Sequence, residues 1–126
     1  MARSRLFNPL SFLDLAKRLN HDDEAELRTA ISRAYYAVHL RTQQSLEAQG
    51  RISTGEKHTH SDIWVALGRI HWKAGNRLST MYRARVRADY RLGAEVDELR
   101  IDLEESVENA KYIAEVGAGS WSTLPQ

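Results

Sequence analysis

The chain has 126 residues, enough for one domain with a real core and too few for two. It contains no cysteine, which excludes a disulfide framework or thiolate metal site and fits a reducing, cytoplasmic setting; the basic segment 1–7 lacks the apolar run of a secretory signal. Nowhere do about 18 apolar residues follow one another, so no membrane span is expected, and a net charge of +1 conceals two oppositely charged blocks.

The first helix is expected from Ser11, read as an N-cap with Asp14 three residues on, to about Asn20. Asp22 or Asp23 opens a long second helix. In it Leu27, Ile31, Ala34, Tyr35, Val38, Thr42 and Leu46 recur at spacings of three and four and form the core-facing stripe. Residues 51–59 lose that period and hold Gly55, so they read as a loop. Thr59 with Asp62, or Ser61, then starts a third helix through Ile63, Trp64, Leu67, Ile70 and His71. A fourth spans about 76–92, with Leu78, Met81, Tyr82, Arg85, Asp89 and Leu92 along one stripe. A fifth spans about 94–116 and buries Val96, Leu99, Leu103, Val107, Ala110 and Ala114.

Gly50, Gly75, Gly93 and Gly117 each follow a periodic stretch, where a left-handed C-terminal cap favours glycine. With no alternating strand pattern, the expectation is an all-α, up-and-down bundle of four or five helices. It forms a single domain over 1–126 with its core at about 10–116, and residues 117–126 make a loose tail whose Trp121 can dock on the body.

Charge is segregated along the chain. Arg69, Lys73, Arg77, Arg83, Arg85, Arg87 and Arg91 face only Asp89 within 69–93, a net +6. Residues 94–116 carry eight carboxylates against Arg100 and Lys111, a net −6. Either the two segments pack antiparallel with complementary edges, or the basic one faces a polyanion. The aromatics Trp72, Tyr82 and Tyr90 interleave the basic block, an arrangement compatible with RNA, in which arginine grips phosphate and rings stack on bases.

Arg85 and Asp89 lie one turn apart on the inward stripe beside Tyr82, and buried charges need partners. They form either an ion pair that holds register or a cleft in which the guanidinium meets a phosphate in bidentate fashion. His58 and His60, two apart in a loop, make a poor metal signal without a third ligand. His71 reads as a packed rim residue, and His21 and His39 have no evident partners. Ser32 and Tyr36 lack a nucleophile elbow, and there is no phosphate loop or dinucleotide fingerprint, so no cofactor and no metal are expected.

The string Ala30-Ile31-Ser32-Arg33-Ala34-Tyr35-Tyr36-Ala37-Val38 resembles a signature of the HEPN superfamily, in its branch of small stand-alone proteins. Lys57 to His60 with Ser61-Asp62-Ile63 resembles that family's lysine-histidine stretch. Arg85-Val86-Arg87-Ala88-Asp89-Tyr90 resembles its arginine, two residues, Ala-Asp-Tyr motif, and Asn109-Ala110-Lys111-Tyr112-Ile113-Ala114 also fits, so the likeness covers about 10–116.

The resemblance implies a helical bundle that forms a homodimer and joins helix-four residues of two chains across a groove. In active members that groove is a metal-independent ribonuclease built on an arginine and a histidine four to six residues later. Arg85 fits the arginine, but the fifth position after it is Tyr90, followed by Arg91 and Leu92, so a proton-transferring histidine has to enter from elsewhere, as His60 or His58. Arg51 and His58, six apart, straddle Gly55 in a loop and do not supply the motif. The family also implies a toxin-antitoxin pairing with a minimal nucleotidyltransferase that adenylylates a tyrosine, here Tyr90.

The expected site is thus Arg85, Asp89, Tyr90 and His60, with Arg33, Tyr36, Tyr82 and Arg87 contacting RNA or nucleotide. The missing histidine favours a rival reading, a non-catalytic dimeric module that binds RNA, nucleotide or a nucleotidyltransferase partner. A third reading leaves the arginines of the fourth helix simply paired with the acidic fifth.

Overall fold

The computed structural model describes residues 7–119, which form five helices: α1 (Ser11–Arg18), α2 (Glu24–Ala48), α3 (His60–Ile70), α4 (Trp72–Tyr90) and α5 (Val96–Gly119). The all-α bundle expected from the periodicity is present. Of the expected loose tail 117–126, residues 117–119 instead continue α5, and the rest, Trp121 included, lies outside the described residues. Among the described residues no helix is long and apolar enough to cross a membrane.

Local chemistry explains most of the boundaries. Ser11 does not cap α1. Asn8 does this work two residues before the cap position, its side-chain oxygen accepting the Leu10 N–H at 3.1 Å and its carbonyl the Ser11 N–H at 3.1 Å. Asp23 caps α2 by accepting from the Ala25 N–H. At its other end Gly50 takes φ +70, which lets the Arg51 N–H reach the Leu46 carbonyl and the Gly50 N–H that of Glu47. This is the double closure that an αL residue permits. Thr59 and Asp62 make the expected capping box of α3.

The other glycines do not end helices as expected. Gly75 lies in the first turn of α4, which begins at Trp72 and not near Asn76, while Gly117 is inside α5 and Gly93 has no left-handed φ. The single residue between α3 and α4 is His71. Its N–H donates to the Leu67 carbonyl at 2.8 Å, its carbonyl accepts the Gly75 N–H, and its Nδ1 accepts the Ala74 N–H at 3.2 Å. One residue therefore closes one helix and opens the next, and the chain reverses so sharply that Gly75 lies against Gly68. A Cβ on Gly75 would stand 2.6 Å from the Gly68 Cα and 2.8 Å from the Trp64 carbonyl oxygen.

Every residue of the expected α2 stripe is buried, and α2 is the central helix, packed against the other four. Fully burying each Leu or Ile of such a stripe contributes about 1.5–3 kcal/mol. Contacts fix the directions. Arg28 and Tyr35 of α2 face Ala88 and Tyr82 of α4, so those helices are antiparallel, as are α4 and α5 through Arg87 with Asp102 and Arg77 with Asn109. The loop 49–59 doubles back and delivers His60 beside the middle of α2, against Tyr35 and His39, so alternation holds for the tightly joined pairs and not for α2 and α3.

The inward stripe of α4 also differs from expectation. Leu78, Met81 and Arg85 are buried and Tyr82 is half-buried, but Leu92 is 83% exposed and Asp89 lies at the surface. Ala74, Ala84 and Ala88 are the other buried apolar positions of α4 beside Leu78 and Met81.

Gly75→Ala is expected to lower stability by about 1–3 kcal/mol, because its methyl meets backbone that has no rotamer to escape into. Gly68→Ala, whose Cβ finds only an ordinary 3.9 Å contact, should leave stability unchanged or raise it by up to about 1 kcal/mol. Urea unfolding of both variants checks the contrast.

Candidate functional site

Arg85 projects from the fourth turn of α4 towards α2 and is only 7% exposed. Its Cζ stands 5.9 Å from the ring centre of Tyr35, 5.5 Å from Tyr36, 5.3 Å from Tyr82 and 5.8 Å from Tyr90. Four tyrosines thus surround one guanidinium. Tyr35 and Tyr36 come from adjacent positions of α2 and meet edge to face at 5.1 Å. Tyr82 and Tyr90 come from the turns of α4 before and after Arg85. Each ring offers a negative face to the cation, worth about 0.5–2 kcal/mol.

Asp89 completes the charge balance. Its Oδ2 accepts from Arg85 Nη1 at 3.2 Å and from the Ser32 hydroxyl at 3.5 Å. Arg85 Nε is buried with no hydrogen-bond partner among the described residues. Burial works against the guanidinium charge, yet the bond to Asp89 and the surrounding tyrosines outweigh it and raise its pKa above the ordinary arginine value.

His60, the first residue of α3, enters this cluster from the third side. Its Nδ1 lies 2.6 Å from the Tyr35 hydroxyl, and its ring is 5.0 Å from Tyr82 and 6.1 Å from Tyr36. Desolvation and then Arg85 lower its pKa, so it is neutral at pH 7. His58 turns away, its Nε2 bonded to the Ser53 carbonyl oxygen at 2.8 Å, so the two loop histidines share no target.

Two members of the cluster were not expected to be part of it. Tyr35 reads as core from its spacing and is indeed fully buried, but its hydroxyl bonds both His60 and His39. His39, without an evident partner in the sequence, has its Nδ1 3.1 Å from that hydroxyl and its ring stacked 4.7 Å from His60. Burial first, then His60 and Arg85, hold the His39 pKa down at about 4, and burial drives the Tyr35 phenol far up. The available signal was the i, i+4 spacing of Tyr35 and His39 on the buried face of α2, since a buried phenol needs a partner.

The remaining residues of the expected site lie around this centre. Arg33 stacks between Phe12 and Tyr36, its Cζ 4.9 and 5.1 Å from their rings, and so backs the Tyr36 wall. Arg87 points the other way, to α5, where Nε and Nη2 donate to the two oxygens of Asp102 at 2.9 Å each. Arg77 also turns to α5, donating to Asn109 and lying over Tyr112. The complementary-edge reading of the charge pattern therefore accounts for Arg87, whose partner is a carboxylate, while Arg77 meets α5 through a neutral amide and a ring, and Arg83, Arg85 and Arg91 do not follow it. Tyr82, Arg83, Val86, Arg87 and Arg91 line a groove of about 290 Å³ on the outer side of α4, with Tyr82 shared between groove and cluster.

Arg28 holds the end of α4 in place, which no sequence pattern indicated. Its Nη1 donates to the carbonyls of Ala88 and Arg91 at 2.9 and 3.0 Å, while Nε bonds Glu24 at 3.0 Å. A cation at a helix C-terminus satisfies carbonyls that lack intrahelical partners. This anchor fixes the turn that carries Asp89 and Tyr90.

The arrangement joins a fixed cation, a neutral imidazole within reach of it, and exposed aromatic surface, which together suit an anionic ligand with stacking bases. No family model matches the chain, and no curated protein or solved structure does either.

The neutral burial of His39 has a consequence for stability. Its folded pKa of about 4 lies below the unfolded 6.5, so the unfolded chain binds more protons between those values, and stability present above pH 6.5 is lost as pH falls towards 4. The expected loss is about 3 kcal/mol, with His60 adding in the same direction. Urea unfolding from pH 7.5 to 4 should show this slope, and His39→Gln should flatten it.

Proposed function

We propose that this chain is an RNA-directed effector of the HEPN type, the toxin of a toxin-antitoxin pair that acts as a metal-independent ribonuclease. The observation that carries the reading is the convergence of His60 on the Arg85 cluster from a different helix. The HEPN-like motif on α4 lacks its histidine, having Tyr90 there, and the imidazole at the N-terminus of α3 stands in the cluster where such a group is needed.

In this reading Arg85 meets the scissile phosphate and stabilises the charge that develops on it. Neutral His60 accepts the proton of the ribose 2′-hydroxyl as O2′ bonds to phosphorus. The P–O5′ bond then breaks, and His60 returns that proton to O5′, leaving a 2′,3′-cyclic phosphate and a 5′-hydroxyl. Tyr82 and Tyr90 stack on flanking bases, Asp89 steadies the arginine, and Arg33 supports Tyr36. The exposed end of α4, where Tyr90 is 70% and Leu92 83% exposed, is the surface for a second copy, making the effector a homodimer in the cytoplasm.

A second reading is favoured by one specific feature. Arg85 is already engaged by Asp89 and four rings, and an exposed tyrosine fills the motif position. Under it the chain is a non-catalytic dimeric module that binds RNA, nucleotide or a nucleotidyltransferase partner.

Incubation of the purified protein with labelled single-stranded RNA in EDTA separates the two. Under the first reading the wild type gives products ending in cyclic phosphate, and Arg85→Lys and His60→Gln each lower the rate about 100-fold or more. RNA bound but not cut, with no growth arrest on expression alone, would establish the second.

A further inference from the structure

Tyr35 has one hydroxyl proton and two imidazole nitrogens within hydrogen-bond distance, His60 Nδ1 at 2.6 Å and His39 Nδ1 at 3.1 Å. The oxygen donates to one of them and must accept from the other. While both rings are neutral they therefore hold opposite tautomers: if His39 Nδ1 carries a proton, His60 Nδ1 does not, and the reverse. The far nitrogen of each ring, Nε2, has no hydrogen-bond partner among the described residues. That of His60 is the one that belongs to a partly exposed ring beside Tyr82 and Arg85.

We propose that the Tyr35 hydroxyl and the His39 imidazole are positioning groups, a buried relay that sets the tautomer of His60 and so decides whether its Nε2 gives or takes a proton. The proposal rests on the reading of His60 as the proton-transfer group. The relay step balances. When His60 Nε2 gives its proton to a leaving oxygen, the Tyr35 proton passes to His60 Nδ1, the His39 Nδ1 proton passes to the Tyr35 oxygen, and His39 Nε2 takes a proton from a solvent water, which is left as hydroxide, so that the proton delivered to the leaving oxygen is in the end drawn from solvent. No ring has to rotate. Reversing each transfer prepares His60 to donate again.

The surroundings favour this exchange of tautomers over plain protonation. His39 and His60 stack at 4.7 Å, and both feel Arg85, so two imidazolium ions side by side next to a guanidinium are strongly disfavoured. The groups facing His60 are Tyr35, Tyr36 and His39 from α2 and Tyr82 and Arg85 from α4. On its own segment the titratable neighbours are His58 and Asp62. None of the facing residues is a carboxylate that would hold an imidazolium.

The test is nitrogen-15 NMR of the histidine-labelled full chain at pH 7.5, which reads the tautomer of each ring directly and does not depend on RNA cleavage. The expected result is one ring protonated at Nδ1 and the other at Nε2, with Tyr35→Phe removing this complementarity. Identical tautomers in the wild type, or spectra of His39 and His60 unchanged by Tyr35→Phe, would overturn the relay. Should Tyr35→Phe fail to fold, His39→Gln serves, and it must alter the His60 tautomer. With RNA as substrate, Tyr35→Phe is expected to lower kcat about tenfold, leave KM within about twofold and displace the pH–rate profile. Complementary tautomers in a protein that cuts no RNA would sink the ribonuclease reading while leaving the relay in place.

Discussion

A single buried guanidinium governs the arrangement of this molecule. Taking a charge out of water is costly unless its surroundings compensate, and Arg85 is compensated by one carboxylate and four tyrosine rings. Those partners come from two helices and His60 from a third, so the register of α2 against α4 and the starting point of α3 are tied to one side chain. The orphaned Nε shows that the compensation is incomplete.

Around this centre the other cations of the bundle tie helices together. Arg28 satisfies the last carbonyls of α4, and Arg77 and Arg87 tie α4 to the acidic α5. Among the described residues, Arg87 with Asp102 is the ion pair that joins the basic and acidic blocks. Arg85 is set apart by facing α2 and not α5, so that beside Asp89 of its own helix its neighbours are tyrosines. The rotation between Arg85 and Arg87, two residues apart on a helix, is about 200°, enough to assign them to opposite sides.

Much of this was legible beforehand. The stripe of α2 and the Gly50 stop stand as read, and for α2 and α3 the caps fall on Asp23 and on Thr59 with Asp62, each one of the two choices the sequence offered; all are local, carried by residues within a few positions of one another. The pairing of Arg85 with Asp89 belongs to the same class, being one helical turn apart. The errors fall where a distant residue decides. Gly75 resembles a helix stop but is small because Gly68 lies against it, and Ser11 resembles a cap although Asn8 supplies the bonds. Asp89 and Leu92 continue a buried stripe on paper, while α2 begins at Glu24, so the last turn of α4 has little beyond Arg28 to cover it.

The sequence by itself determined that the chain is all helical, where most helices begin, and that α4 carries a lone arginine–aspartate pair among apolar residues, because helix periodicity, capping and i, i+4 pairing are short-range physics. Only the tertiary structure decided that Tyr35, His39 and His60 form one hydrogen-bonded chain and that Arg87 belongs to α5. Those contacts span 21 residues between His39 and His60 and 15 between Arg87 and Asp102. They depend on how far the loop 49–59 doubles back and on which face of α4 meets α2, and neither is written in any local pattern.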